Sequence, residues 1–247
     1  NLSNSDKTAV GWSSVCNIGD NGKTKMKINM LGGDNTIVTT GFGIEDSNED
    51  IYNKLVLLAK RKKKSTSFVN IMDPGKNDSF RTVLQLASPE NNGQKTYAAE
   101  IRSNDGIKDT ILCSAHTYDR SVNGYKTDAQ SAFFRNVNEV DTIIGCINGT
   151  KANGKKISVS SDKPISFQLT QTGDECYRLD MGDKSKAVID IKGLDGYKAY
   201  VSKSGSGWLE KDISQLDASK GATYFLAPEI NLINDCTSDF IITKLSD

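Results

Sequence analysis

The feature that most constrains this chain is its rhythm. Residues 165–170, 176–181, 187–192, 197–203, 208–213, 223–227 and 240–245 each read as a short strand, recurring roughly every ten to fourteen residues with Gly or Asp turns between them. Alternation with period two places successive side chains on opposite faces of a sheet. Many short strands separated by turn residues form the pattern of a sandwich or barrel. No fixed-period repeat is present, which disfavours solenoids and propellers. Strands do not alternate with helices, which disfavours a doubly wound parallel sheet.

The N-terminal part reads similarly. Lys25, Lys27 and Asn29 alternate with Met26, Ile28 and Met30, and Gly32-Gly33-Asp34-Asn35 predicts a hairpin to a strand over 36–40. Residues 67–72 read as a strand closed by a turn at Asp73-Pro74-Gly75. One helix is expected over 47–62. Ser47 with Asp50 resembles a capping box, and Ile51, Leu55 and Leu58 fall on one helical stripe. Residues 149–163 carry little apolar content and mark a domain boundary or a long hairpin. The expected fold is all-β with one short helix, in two β-sandwich-like domains, 1–150 and 164–247. One large sandwich is the alternative.

Composition narrows the function classes. Thirty-one Lys and Arg balance thirty-one Asp and Glu, whereas specific nucleic-acid binders carry a basic excess. The longest apolar run, 55–59, is far short of the ~20 residues of a membrane-spanning helix. The five cysteines, Cys16, Cys113, Cys146, Cys176 and Cys236, lack CxxC spacing, so zinc ribbons and thioredoxin-type motifs are unsupported. Scattered cysteines in an Asn-, Ser-, Thr- and Gly-rich β chain suggest an oxidising compartment. The expected bridges are Cys113–Cys146 and Cys176–Cys236, leaving Cys16 free or linked to another chain.

Motifs for catalysis are sparse. His116 is the single histidine, and three residues away on a strand Cys113 faces the opposite side. There is no GxSxG elbow and no phosphate-binding glycine loop. Asp46-x-Asn48-x-Asp50 begins like a calcium loop, but Ile51 and Leu57 replace the required Gly and Glu. No metal set or cofactor motif emerges, and no pair of acids stands out for glycoside hydrolysis. The basic run Lys60, Arg61, Lys62, Lys63 and Lys64 is a candidate polyanion contact. Trp208, after Gly205-Ser206-Gly207, and Tyr125 are candidate sugar-stacking aromatics. These features point to a secreted or surface-exposed, non-catalytic binding protein: an adhesin or receptor-interaction module whose partner is a host or cell-surface receptor, glycan or polyanion. A secreted hydrolase of polysaccharide or protein, and an oligomerising subunit of a surface appendage, are the alternatives.

Overall fold

The computed structural model describes residues 12–18, 24–30, 36–47, 50–61, 70–76, 82–85, 90–91, 96–103, 105–182, 186–202, 207–218 and 221–233. The chain forms two compact units, residues 1–85 and 86–247. Both are built from antiparallel strands, and no helix of seven residues occurs among the described residues.

The first unit contains β1 (Trp12–Ile18), β2 (Thr24–Met30), β3 (Thr36–Ser47), β4 (Asp50–Arg61), β5 (Asn70–Lys76) and β6 (Thr82–Gln85). β2 is the centre of a three-stranded sheet, β1-β2-β5, and β3 pairs with β4 as a ribbon. Three expectations are corrected here. The helix expected over 47–62 is strand β4, matched to β3 from Thr36↔Arg61 to Ser47↔Asp50. The apolar run 55–59 fits either period, and the β-branched stretch of β3 supplies a partner that local propensity does not count. Leu58, assigned to a buried helical stripe, is 59% exposed. The hairpin expected between 25–30 and 36–40 does not form, because β2 is paired on both edges by β1 and β5. The turn expected at Asp73-Pro74-Gly75 is extended strand opposite Lys27, Met26 and Lys25. β5 is an edge strand of that sheet, where a residue without an N–H is tolerated.

The second unit contains β7 (Glu90–Asn91), β8 (Thr96–Arg102), β9 (Ile107–Ser114), β10 (Arg120–Val122), β11 (Tyr125–Thr127), β12 (Ser131–Val137), β13 (Val140–Asn153), β14 (Ser158–Gly173), β15 (Cys176–Met181), β16 (Ala187–Lys192), β17 (Lys198–Ser202), β18 (Trp208–Lys211), β19 (Leu216–Ala218) and β20 (Thr223–Ala227). Short 3-10 turns lie at Ile213–Gln215 and Ile230–Leu232. The expected strand over 240–245 lies outside the described residues.

These strands form one large sheet that doubles over on itself. The first part of β13 pairs with β12, while Ala152 and Asn153 at its end pair with β11. Likewise Ser158–Ser161 of β14 pairs with β16, and its later residues pair with β15. Each long strand therefore belongs to both layers. The bend lies where the β13–β14 register slips, between Cys146 and Gly149 and between Gly149 and Lys151. Bulges of this kind bend a strand and re-aim the residues beyond the bend. Asn148 adopts φ 52° at this point. Residues 149–163 thus form the end of the β13–β14 hairpin.

Alternation in β12 builds the core: Ala132, Phe134 and Asn136 are buried, and Ser131, Phe133, Arg135 and Val137 face the other way. Leu112, Phe134, Ile144, Leu169 and Leu179 of one layer share a core with Tyr125, Val159, Ile189 and Leu216 of the other. The Tyr125 ring stacks on Phe134 with centroids 4.7 Å apart. A smaller cluster on the opposite face gathers Cys176, Tyr200, Phe225, Ala227 and Ile233, with Trp208 and Leu232 packed against it.

Candidate functional site

The residues singled out in the sequence do not converge on one place. Tyr125 is completely buried. Asn123 and Gly124, with φ 48° and 89°, make the tight turn from Val122 to Tyr125, and the tyrosine after the turn points inward. Its candidate role as an exposed sugar platform is therefore corrected. Burial, with the charges of Asp141 and Glu100, pushes its phenol up to about 12. Trp208 is half-buried on β18, edge-on to Phe225 with centroids 5.5 Å apart, so its indole is engaged in packing. In the basic run, Lys60 and Arg61 end β4 rather than a helix, and Lys60 is exposed. Lys62, Lys63 and Lys64 lie outside the described residues. His116 is exposed beyond the end of β9, and its carbonyl oxygen accepts from Ser114 Oγ at 2.5 Å.

The expected Cys113–Cys146 bridge is not formed. Cys113 is opposite Ser131 and Cys146 opposite Ala132, on the two flanks of β12. The two thiols are separated by a whole strand and project to opposite faces, beyond the ~7 Å Cα separation a disulfide tolerates. Cys113 Sγ lies 3.4 Å from Ser131 Oγ. Cys176 is buried beside the 3-10 turn Ile230–Leu232, its Sγ 3.5 Å from the Leu232 carbonyl oxygen. Cys236 lies outside the described residues, as does the side chain of Cys16.

Asp141, Asp128 and Asp109 have structural work. Asp141 Oδ2 accepts from Lys156 N at 2.7 Å and Ile157 N at 3.1 Å, closing the β13–β14 turn, and its Oδ1 accepts from Asn136 Nδ2 at 3.3 Å. Asp128 accepts from Thr150 N at 2.8 Å and Lys151 N at 3.0 Å. Asp109 takes Arg135 Nε and Nη2 at 2.7 and 2.8 Å, a bidentate pair, and this raises the Arg135 guanidinium. Glu100 meets Arg102 Nε at 2.5 Å and Lys108 Nζ at 2.8 Å. Burial alone would raise its carboxyl, but these two cations hold it below its ordinary value.

What the sequence did not reveal is the outer face of the larger layer. Pairing registers place Ile111, Phe133, Gly145, Gln168 and Asp180 in one row across β9, β12, β13, β14 and β15. Asp109, Arg135, Ile143, Thr170 and Arg178 form the next row. Phe133 and Ile143 are half-buried, Ile147 beside them is 57% exposed, and Gln168 is exposed. The Arg135 guanidinium sits 5.6 Å from the centre of the Phe133 ring. Gln168 Nε2 donates to Thr170 Oγ1 at 2.9 Å, Arg178 Nε pairs with Asp180 at 2.7 Å, and Thr223 Oγ1 donates to Asp180 at 2.9 Å. The face is apolar over β12 and β13 and rich in hydrogen-bonding groups over β14 and β15. The sequence of 131–137 is ambiguous, with Phe133 and Phe134 adjacent and so on opposite faces, and nothing in it marks which face is open. No protein-family model matches this chain, and no curated protein matches it.

Proposed function

We propose that this is a secreted or surface-exposed, non-catalytic binding protein that engages a cell-surface glycan on the outer face of β9, β12, β13, β14 and β15. The observation that carries this reading is the two-part character of that face. An aromatic ring and Ile147 lie beside Gln168, Thr170, Arg178 and Asp180. A sugar ring has the same two parts, a C–H face that packs on an aromatic and a rim of hydroxyls that take planar hydrogen bonds. Commitment of Asp141, Asp128 and Asp109 to structural donors supports a non-catalytic role.

A Cys176–Cys236 disulfide belongs to this reading. Cys176 Sγ lies against the Leu232 carbonyl, four residues before Cys236 in sequence. Such a bridge suits an oxidising compartment, and non-reducing peptide mapping tests it. Glycan-array screening of the full chain, with assay of the retained glycans for cleavage, tests the function. Saturable retention without turnover is expected. Cleavage of a bound glycan, or no retention on any array or cell surface, overturns it.

A further inference from the structure

Three side chains that the binding face does not use meet at one end of the core. Glu100 on β8, Lys108 on β9 and Asn136 on β12 lie on three adjacent strands and share the inward face. Lys108 and Asn136 are direct cross-strand partners, a position that sets Cβ atoms about 4.5–5.5 Å apart. The four-carbon stem of lysine is long enough to cross that gap. Lys108 Nζ stands 2.8 Å from Glu100 Oε2, and Glu100 and Asn136 are 1% and 3% exposed. Asn136 Nδ2 donates to Asp141 Oδ1, and Asp141 is itself fixed by the Lys156 and Ile157 amides. The carboxamide is therefore held in one orientation, on the strand next to that of Lys108.

We propose that Lys108 and Asn136 become joined by an intramolecular amide bond, with Glu100 carrying the proton. The Glu100 carboxylate takes a proton from the Lys108 ammonium. The freed Nζ lone pair attacks Asn136 Cγ, and the carbonyl π pair moves onto Oδ1. When the carbonyl re-forms, the Cγ–Nδ2 bond breaks. Nζ keeps one hydrogen; its other two pass by way of Glu100 to Nδ2, which departs as ammonium. Glu100 returns to carboxylate, nothing is oxidised or reduced, and no co-reactant is consumed. Strand pairing holds the two residues as neighbours, so that the amine has only to swing from Glu100 to reach Cγ, the proximity that makes such an exchange fast within a fold, and burial keeps competing water from Cγ. Lys108 is 25% exposed at its side chain, which leaves the product ammonium a way out.

The test is mass spectrometry of the full chain after incubation at neutral pH. The intact protein is expected to be lighter than its sequence by one ammonia. Its tryptic digest should contain a branched peptide joining the segments that carry Lys108 and Asn136, with no cleavage after Lys108. Glu100→Gln and Asn136→Ala should both return to full sequence mass. A succinimide at any of the five Asn-Gly steps, Asn21-Gly22, Asn92-Gly93, Asn123-Gly124, Asn148-Gly149 and Asn153-Gly154, also loses ammonia, so the digest decides. Recovery of Lys108 and Asn136 in separate, unmodified wild-type peptides overturns the bond, whatever the intact mass and however the variants fold. A branched peptide that persists in Glu100→Gln overturns the role of Glu100.

Discussion

Gly149 shows how much can rest on the absence of a side chain. A Cβ there would lie 2.4 Å from Ala129 Cβ and 2.5 Å from Ala129 Cα, so two backbones approach each other at the point where the sheet folds over. Gly149→Ala is expected to destabilise the protein by about 1–3 kcal/mol, the usual cost of forcing extra volume into a packed site, read as a lower denaturant midpoint with an unchanged slope. Asn148-Gly149 has the composition of a turn, whereas β13 continues through it. The same residues that close a turn also make a bulge, and only the partner strands decide between the two. Tyr125 is a second instance. In the sequence it reads as an aromatic on an exposed loop, but strand parity aims it inward. Tyr125 and Tyr177 both have phenols pushed up to about 12, chiefly by burial. An acid whose folded value lies above its unfolded one stabilises the fold fully below the unfolded value, and that stabilisation is lost as pH rises through the folded value. The folded protein should therefore lose stability between about pH 10 and 12. Spectrophotometric titration should show Tyr125 and Tyr177 among the phenols that ionise late, with one fewer such phenol in Tyr125→Phe.

At the scale of elements, the β13–β14 hairpin ties both layers together. Asp141 accepts two backbone N–H groups at its turn, donors that would be left buried without a partner if the carboxylate were removed. Asp141→Ala is expected to cost about 2 kcal/mol or more, measurable by thermal or denaturant unfolding, whereas removing the exposed Glu139–Lys155 pair should leave the unfolding midpoint close to that of the wild type. Strands with clean alternation, such as 176–181 and 187–192, were legible in the sequence to within a residue, because one face of each is buried. β4 was not. Its apolar run has no clean period, and its strand character comes from β3, a non-local partner. The Cys113–Cys146 pairing failed for a related reason: sequence distance carries no information about the strand that comes to lie between them.

At the scale of the whole molecule, the all-β character was legible from the turn rhythm. Low apolar content at 149–163 suggested a boundary or a long hairpin; those residues are hydrogen-bonded hairpin, and the two compact units meet in sequence at Gln85 and Leu86. Limited proteolysis is expected to leave a resistant fragment starting near Leu86 and to spare 149–163, since cleavage needs backbone free of pairing. First cuts inside 149–163 would argue against this division. The outer face of β9, β12, β13, β14 and β15 was not legible at all, since alternation alone cannot say which face a second layer covers.

That face carries the functional claim, and titration calorimetry tests it most directly. The best glycan from the array would be titrated into the wild type, Phe133→Ala and Gln168→Ala, with folding of each checked by circular dichroism. Loss of aromatic stacking is worth about 1 kcal/mol or somewhat more, so Phe133→Ala should weaken binding roughly five- to tenfold. Gln168→Ala should weaken it by a similar or smaller factor. Wild-type affinity retained by both folded variants would contradict the assignment of binding to this face.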